Sequence, residues 1–107
     1  MALPIYNELK TAFPNAVFRG FDPVVAPAAV EEFFGFHAVA DLLAAFDGAD
    51  IVMLLNNHST FQQMELAGLA ARMRRPSIVY DLWNMHDDVA TSMPDGVVAI
   101  ALGSERV

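Results

Sequence analysis

Apolar residues recur along this chain at two different intervals, and the alternation between them predicts helices separated by short strands. Ile5, Leu9 and Phe13 fall at every fourth position, which makes one stripe of a helix that begins near Pro4 and stops at Pro14-Asn15. Ala16 to Phe21 then reads as a strand, with Val17 and Phe18 on opposite faces and Arg19 near an edge or a strand end. Asp22-Pro23 closes it. Val24 to Phe36 has no clean period, because Pro23 and Pro27 interrupt it and Glu31-Glu32 precede a pair of aromatics. A loop carrying one short helix is expected there. Val39, Leu42, Leu43 and Phe46 restore the i, i+3, i+4, i+7 spacing of an amphipathic helix, ended by Asp47-Gly48.

Ile51 to Leu55 is a continuous apolar run bounded by Asp50 and Asn56, the pattern of a strand buried on both faces of a parallel sheet. Ser59 and Thr60 each stand three residues before a glutamine, Gln62 or Gln63, so either pair can form a capping box. Leu66, Leu69, Ala70 and Met73 supply the buried stripe of the helix that follows. Ser77 to Tyr80 is a short strand ending at Asp81, and Val97 to Leu102 is another, ending at Gly103. Strands joined by helical crossovers predict an α/β fold with a mainly parallel sheet.

Composition narrows the function classes. The length of 107 residues suits one domain, and a mean hydropathy of +0.37 supplies ample apolar material for a core. No apolar run is long enough to cross a bilayer, and Met1 to Lys10 lacks the layout of a signal peptide. A cytoplasmic protein with no membrane partner is therefore expected. The net charge of −7 repels a phosphate backbone, so nucleic acid is not an expected partner. Half of the basic residues sit together at Arg72, Arg74 and Arg75, just before Pro76, where a helix C-terminus explains them. Cysteine is absent, which removes disulfides, thiolate ligands and a cysteine nucleophile.

In a parallel sheet, ligands bind outside the carboxyl ends of the strands. The residues after the predicted strands are Asp22, then Asn56, Asn57 and His58, then Asp81 with Asn84, then Ser104. Every strand thus ends in a hydrogen-bonding group, as a ligand-binding edge requires and as turns into solvent also produce. Neither G-x-G-x-x-G nor G-x-x-x-x-G-K-[ST] occurs, so no phosphate cradle of those types is present. His58, His86, Asp81, Asp87 and Asp88 have donor chemistry for a metal, but their spacing fits no metal-binding pattern, and no metal is expected. Ser59, His58 and Asp81 can be drawn as a hydrolase triad without the G-x-S-x-G elbow. Trp83 suits stacking on a base or sugar, although partly buried packing is the commoner use of a tryptophan.

Three segments in order carry a resemblance: Phe21-Asp22-Pro23-Val24-Val25; Gly48 to Leu55 followed by His58; and Pro76-Ser77-Ile78-Val79-Tyr80-Asp81 with Asn84. Together they resemble the C-terminal domain of the nucleotide-sugar 6-dehydrogenases, the UDP-glucose, UDP-N-acetylmannosamine and GDP-mannose dehydrogenases, over about Pro4 to Ser104. The resemblance implies a Rossmann-like three-layer αβα domain that binds a nucleotide sugar such as a UDP-sugar. It implies NAD as a cofactor of the full-length enzyme, bound by another domain, and a catalytic cysteine that also lies outside this chain. The substrate-binding residues it implies are Asp22, Asn57, His58, Asp81 and Asn84, with Asp81 and Asn84 orienting a loop and no catalytic residue in this chain.

Two departures from the family pattern shape the expectations. The family's domain opens with a strand and a Gly-x-Ala-Phe-Lys-Gly segment, whereas this chain starts at the following helix, so residues 1–107 read as an N-terminally truncated domain lacking the first strand. The strands ending at Asp22 and Leu55 are then expected to pair directly, or the chain to borrow a strand as a homo-oligomer. Where the family tends to have Asp-Gly-Arg-Asn, this chain reads Asp81-Leu82-Trp83-Asn84, so a guanidinium is replaced by an uncharged indole. A non-catalytic oligomerisation or interaction module, using an apolar patch around Phe33, Phe34 and Phe36, is the alternative to a ligand-binding domain.

Overall fold

A computed structural model describes residues 2–83, 85, 86 and 93–101. They form α1 (Ala2–Ala12), β1 (Arg19–Gly20), α2 (Pro27–Phe34), β2 (His37–Ala38), α3 (Leu42–Phe46), β3 (Ile51–Leu54), α4 (Ser59–Gln63), α5 (Leu66–Ala70), β4 (Ser77–Asp81) and β5 (Val97–Ala101). All strand pairs are parallel, β1 with β2 in one sheet and β3-β4-β5 in order in the other. This is the α/β organisation that the alternating periods predict. The chain divides into two compact units, Met1–Asp41 and Leu42–Val107.

In the first unit an aromatic cluster forms beside the predicted stripe, of which Ile5 and Leu9 are half-buried in α1. Phe13 lies beyond the end of α1 and is 57% exposed, while Tyr6, one residue out of that stripe, is buried. Its ring meets Phe18, Phe34 and Phe36 edge to face, with centroids 5.2, 6.0 and 4.9 Å away. Phe34 and Phe36 stack on each other, so only Phe33 of the expected apolar patch remains largely exposed. The first strand is far shorter than Ala16 to Phe21, and Val17 is almost wholly exposed. Its partner is β2, a two-residue strand that no local pattern announces. Gly20 is required there, because a Cβ at this position would run into the Phe36 ring. The short helix expected in Val24 to Phe36 is α2, with Pro27 in its first turn and Gly35 as its left-handed C-cap.

The second unit carries a better-defined core. Phe46, Leu66, Ala70, Met73, Val79 and Val97 form one buried cluster joining α3, α5 and the sheet. Val39 falls outside α3, which starts at Leu42. The single helix expected after Ser59 is two, α4 and α5, separated at Met64 and Glu65, where Glu65 turns to cap the second by accepting from the Gly68 N–H at 2.9 Å. The predicted stripe nonetheless holds, since Leu66, Ala70 and Met73 are buried and Leu69 packs against the cluster.

Sheet register explains burial across the three strands. Val79 pairs between Val52 and Ala99, and Asp81 between Leu54 and Ala101; these residues share the face that is buried or half-buried. The other face carries Ile51, Ile78 and Val98 in one row and Met53, Tyr80 and Ile100 in the next. Ile51, Tyr80 and Val98 are exposed there. The expectation that the Ile51 to Leu55 run is buried on both faces is thus corrected: β3 is bonded to β4 alone in this sheet, and only Leu54 of it is fully buried. The expected direct pairing of the strands ending at Asp22 and Leu55 is also replaced, by β1 with β2 and β3 with β4.

Candidate functional site

Because β3, β4 and β5 run parallel, Leu54, Asp81 and Ala101 stand side by side at one end of the sheet. The chain leaves β3 through Leu55, Asn56 and Asn57 into α4, and leaves β4 through Leu82 and Trp83. These two turns form the carboxyl edge of the second unit, where sequence places most of the candidate residues.

Asp81 is the fixed point of that edge. It is only 4% exposed, and both of its carboxylate oxygens accept from backbone: Oδ2 from the His86 N–H at 2.8 Å and Oδ1 from the Trp83 N–H at 3.3 Å. A buried carboxylate satisfied in this way holds the turn after β4 in one shape. The chain then reaches back, as His86, itself buried, donates from Nε2 to the Phe61 carbonyl in α4. Trp83 closes the link on the other side by donating from Nε1 to the Leu55 carbonyl at 3.1 Å. Two hydrogen bonds, one from each side of the post-β4 turn, thus tie it to the β3–α4 segment.

The β3–α4 segment is organised by its own side chains. Asn56 Oδ1 accepts from the His58 N–H at 3.0 Å, and His58 Nδ1 accepts from the Thr60 N–H at 3.0 Å. His58 is therefore the N-cap of α4, in place of the Ser59 or Thr60 capping boxes expected from the sequence. Gln62 does use its side chain at this helix start, but its Nε2 donates to the Asn57 carbonyl at 2.6 Å. With Nδ1 accepting, the neutral His58 ring carries its proton on Nε2, which offers a donor at the edge. The ring lies edge-on to Phe61. The Asn57 side chain is solvent-exposed.

The structure thus brings Asn57, His58 and Asp81 to one sheet edge. Asp22 belongs to the first unit, where its Oδ1 accepts from the Val24 and Val25 N–H groups at 2.8 and 2.9 Å and shapes the loop after β1. Asn84, Asp87, Asp88 and Ser104 lie outside the described residues. Sequence reasoning missed Phe61 and the bridging role of His86; a lone histidine in an irregular segment signals neither. Of the two uses the sequence offered for Trp83, stacking at the surface or partly buried packing, the structure leaves 47% of the residue exposed, with its N–H bonded to a carbonyl at the rim.

One chemistry drawn from the sequence does not survive this geometry. A triad of Ser59, His58 and Asp81 needs a histidine N–H donating to the carboxylate, but the His58 Nδ1 is an acceptor and both Asp81 oxygens are taken by backbone. Among the described residues no group of three or more His, Asp or Glu side chains is placed to hold a metal ion. Nor do the described residues fit NAD. The left-handed glycines are Gly35 at the end of α2, Gly48 after α3 and Gly96 before β5. None lies in a strand-to-helix turn, where a pyrophosphate would need one.

No curated protein matches the chain. A family model does match, that of the UDP-glucose/GDP-mannose dehydrogenase family, UDP binding domain, over residues 1–88. With parallel strands, helical connections and a polar carboxyl edge in the expected order, the chain belongs to the UDP-binding domain of the UDP-glucose/GDP-mannose dehydrogenase family.

Proposed function

We propose that this chain binds the nucleotide portion of a nucleotide sugar, with UDP-sugars as the expected class, and serves as the binding domain of an NAD-dependent nucleotide-sugar 6-dehydrogenase. The observation that carries this reading is the carboxyl edge of β3-β4-β5. There the buried Asp81 holds one turn rigid while the His58 Nε2–H and the exposed Asn57 amide are left to meet a ligand. Asp22, in the first unit, and Asn84 are further candidates on the family pattern alone. In such an enzyme the sugar's 6-hydroxymethyl group becomes a carboxylate. The cysteine and the NAD-binding glycines for that oxidation have no counterpart in this chain, so it is expected to be inactive alone.

Titration of the ¹⁵N-labelled chain with UDP, UDP-glucose and GDP-mannose tests the reading. Amide shifts concentrated at residues 56–58 and 81–83 are expected. A full titration that moves none of them rules the binding role out.

A second reading has its own observation. Phe13, Val17, Val24 and Phe33 of the first unit are all more than half exposed, which favours an interaction or homo-oligomerisation role for that unit. Light scattering that shows a stable monomer at high concentration counts against it.

A further inference from the structure

The geometry points to Trp83 as a preset stacking platform for the nucleobase, so that the nucleoside, more than the diphosphate, supplies the affinity of this edge. This rests on the nucleotide-binding reading above and says which part of the nucleotide is recognised.

Three observations carry it. First, Trp83 is tied at two points, its indole by Nε1–H to the Leu55 carbonyl at 3.1 Å and its main chain by the backbone N–H to Asp81 Oδ1 at 3.3 Å. Yet the residue remains 47% exposed. An aromatic ring held this way loses little freedom when a planar partner covers it, which is the condition for efficient stacking.

Second, the ring stands beside residues with the right complementary chemistry. The Leu55 carbonyl that holds it is followed directly by Asn56, Asn57 and His58. An amide and an imidazole N–H can bond a pyrimidine edge or ribose hydroxyls.

Third, charge is elsewhere. Arg72, Arg74 and Arg75 are all engaged at the opposite, amino end of the same sheet, facing Asp47, Asp50 and the Asp95 carbonyl. Among the described residues of this unit no lysine or arginine stands at the carboxyl edge, so these residues offer a diphosphate hydrogen-bond donors and no cation.

Trp83 is the sole tryptophan of the chain, so fluorescence of the full chain excited to the red of tyrosine absorption reads this ring alone. Uridine, UDP and inorganic pyrophosphate are titrated at low and high salt, with calorimetry in parallel. Uridine and UDP are expected to quench the emission and to bind within about tenfold of each other with little salt dependence, and pyrophosphate to do neither. Trp83→Leu is expected to weaken UDP binding by roughly 5- to 100-fold, the range of one base-stacking contact, and Trp83→Phe to weaken it less. Circular dichroism of both variants confirms that they fold.

If UDP binds by calorimetry while the emission stays constant and Trp83→Leu binds as well as the parent, stacking is overturned and the nucleotide-binding reading stands. Pyrophosphate binding as tightly as UDP overturns it too. If neither uridine nor UDP binds, both the inference and the reading beneath it fall.

Discussion

The two ends of the β3-β4-β5 sheet are built from opposite chemistry. At the amino end three arginines meet carboxylates and carbonyls: Arg72 faces Asp47 at 3.9 Å, Arg74 faces Asp50 at 3.8 Å, and Arg75 donates to the carbonyls of Asp95, Ala71 and Met73. At the carboxyl end the turns are held by a buried carboxylate on backbone N–H groups, a histidine cap and an indole on a carbonyl. One end uses long charged side chains to close on itself. The other satisfies its backbone with short or rigid groups and leaves polar atoms and an aromatic face at the surface. At the amino end charge is spent on structure, whereas the carboxyl end is the one to which the proposed binding role is assigned.

Removing the core that both ends share has the largest expected effect. Phe46 is 1% exposed within the cluster that contains Val79 and Val97, so Phe46→Ala should cost about 3–5 kcal/mol. Chemical denaturation measures it, and both ends should be lost in one transition. A smaller change separates them: Asp81→Ala strips the acceptor from two backbone N–H groups, one of them buried, and should cost about 1–3 kcal/mol. Amide exchange should accelerate at Trp83 and His86 while residues 72–75 stay protected. If both ends loosen equally, the carboxyl edge is not an independent structure.

The cap tests binding against stability at one residue. His58→Ala removes the acceptor for the Thr60 N–H and should cost about 0.5–2 kcal/mol, whereas His58→Asn supplies another good N-cap and should restore most of that. Asparagine does not reproduce the imidazole N–H, so UDP affinity should stay reduced in both variants; recovery of affinity with stability would make His58 a cap alone. The smallest effect belongs to the amino end. Arg74 and Asp50 are both well exposed and 3.8 Å apart, so Arg74→Gln should change stability by less than about 1 kcal/mol and leave UDP binding unaltered.

How much of this was legible depends on the range over which each feature is decided. The run Ile51 to Leu55 announced a strand because five apolar residues in a row leave few other options. It did not announce that Ile51 would be exposed, which depends on how many neighbours β3 acquires. His37–Ala38 is a strand only because Arg19–Gly20 lies beside it. The helix start at Ser59 was readable, but the choice among His58, Ser59 and Thr60 as its cap was not, since all three offer an acceptor and only the path out of β3 selects one. The candidate set fared likewise. Asn57, His58 and Asp81 are found after strands by pattern alone, whereas the bridge through His86 and Phe61 spans 25 residues and has no local signature.

By itself, the sequence determined most of the alternation of helices and strands, their parallel sense, the polar residues that follow β1, β3 and β4 and, through that order, the family. These follow from periodicity and punctuation, which act within a few residues. Only the tertiary structure decided which face of each strand is buried, that Asp81 serves the backbone, and that Trp83 stays at the surface with its N–H tied down. Those depend on which distant groups come within hydrogen-bonding or packing distance, and no window of sequence contains them.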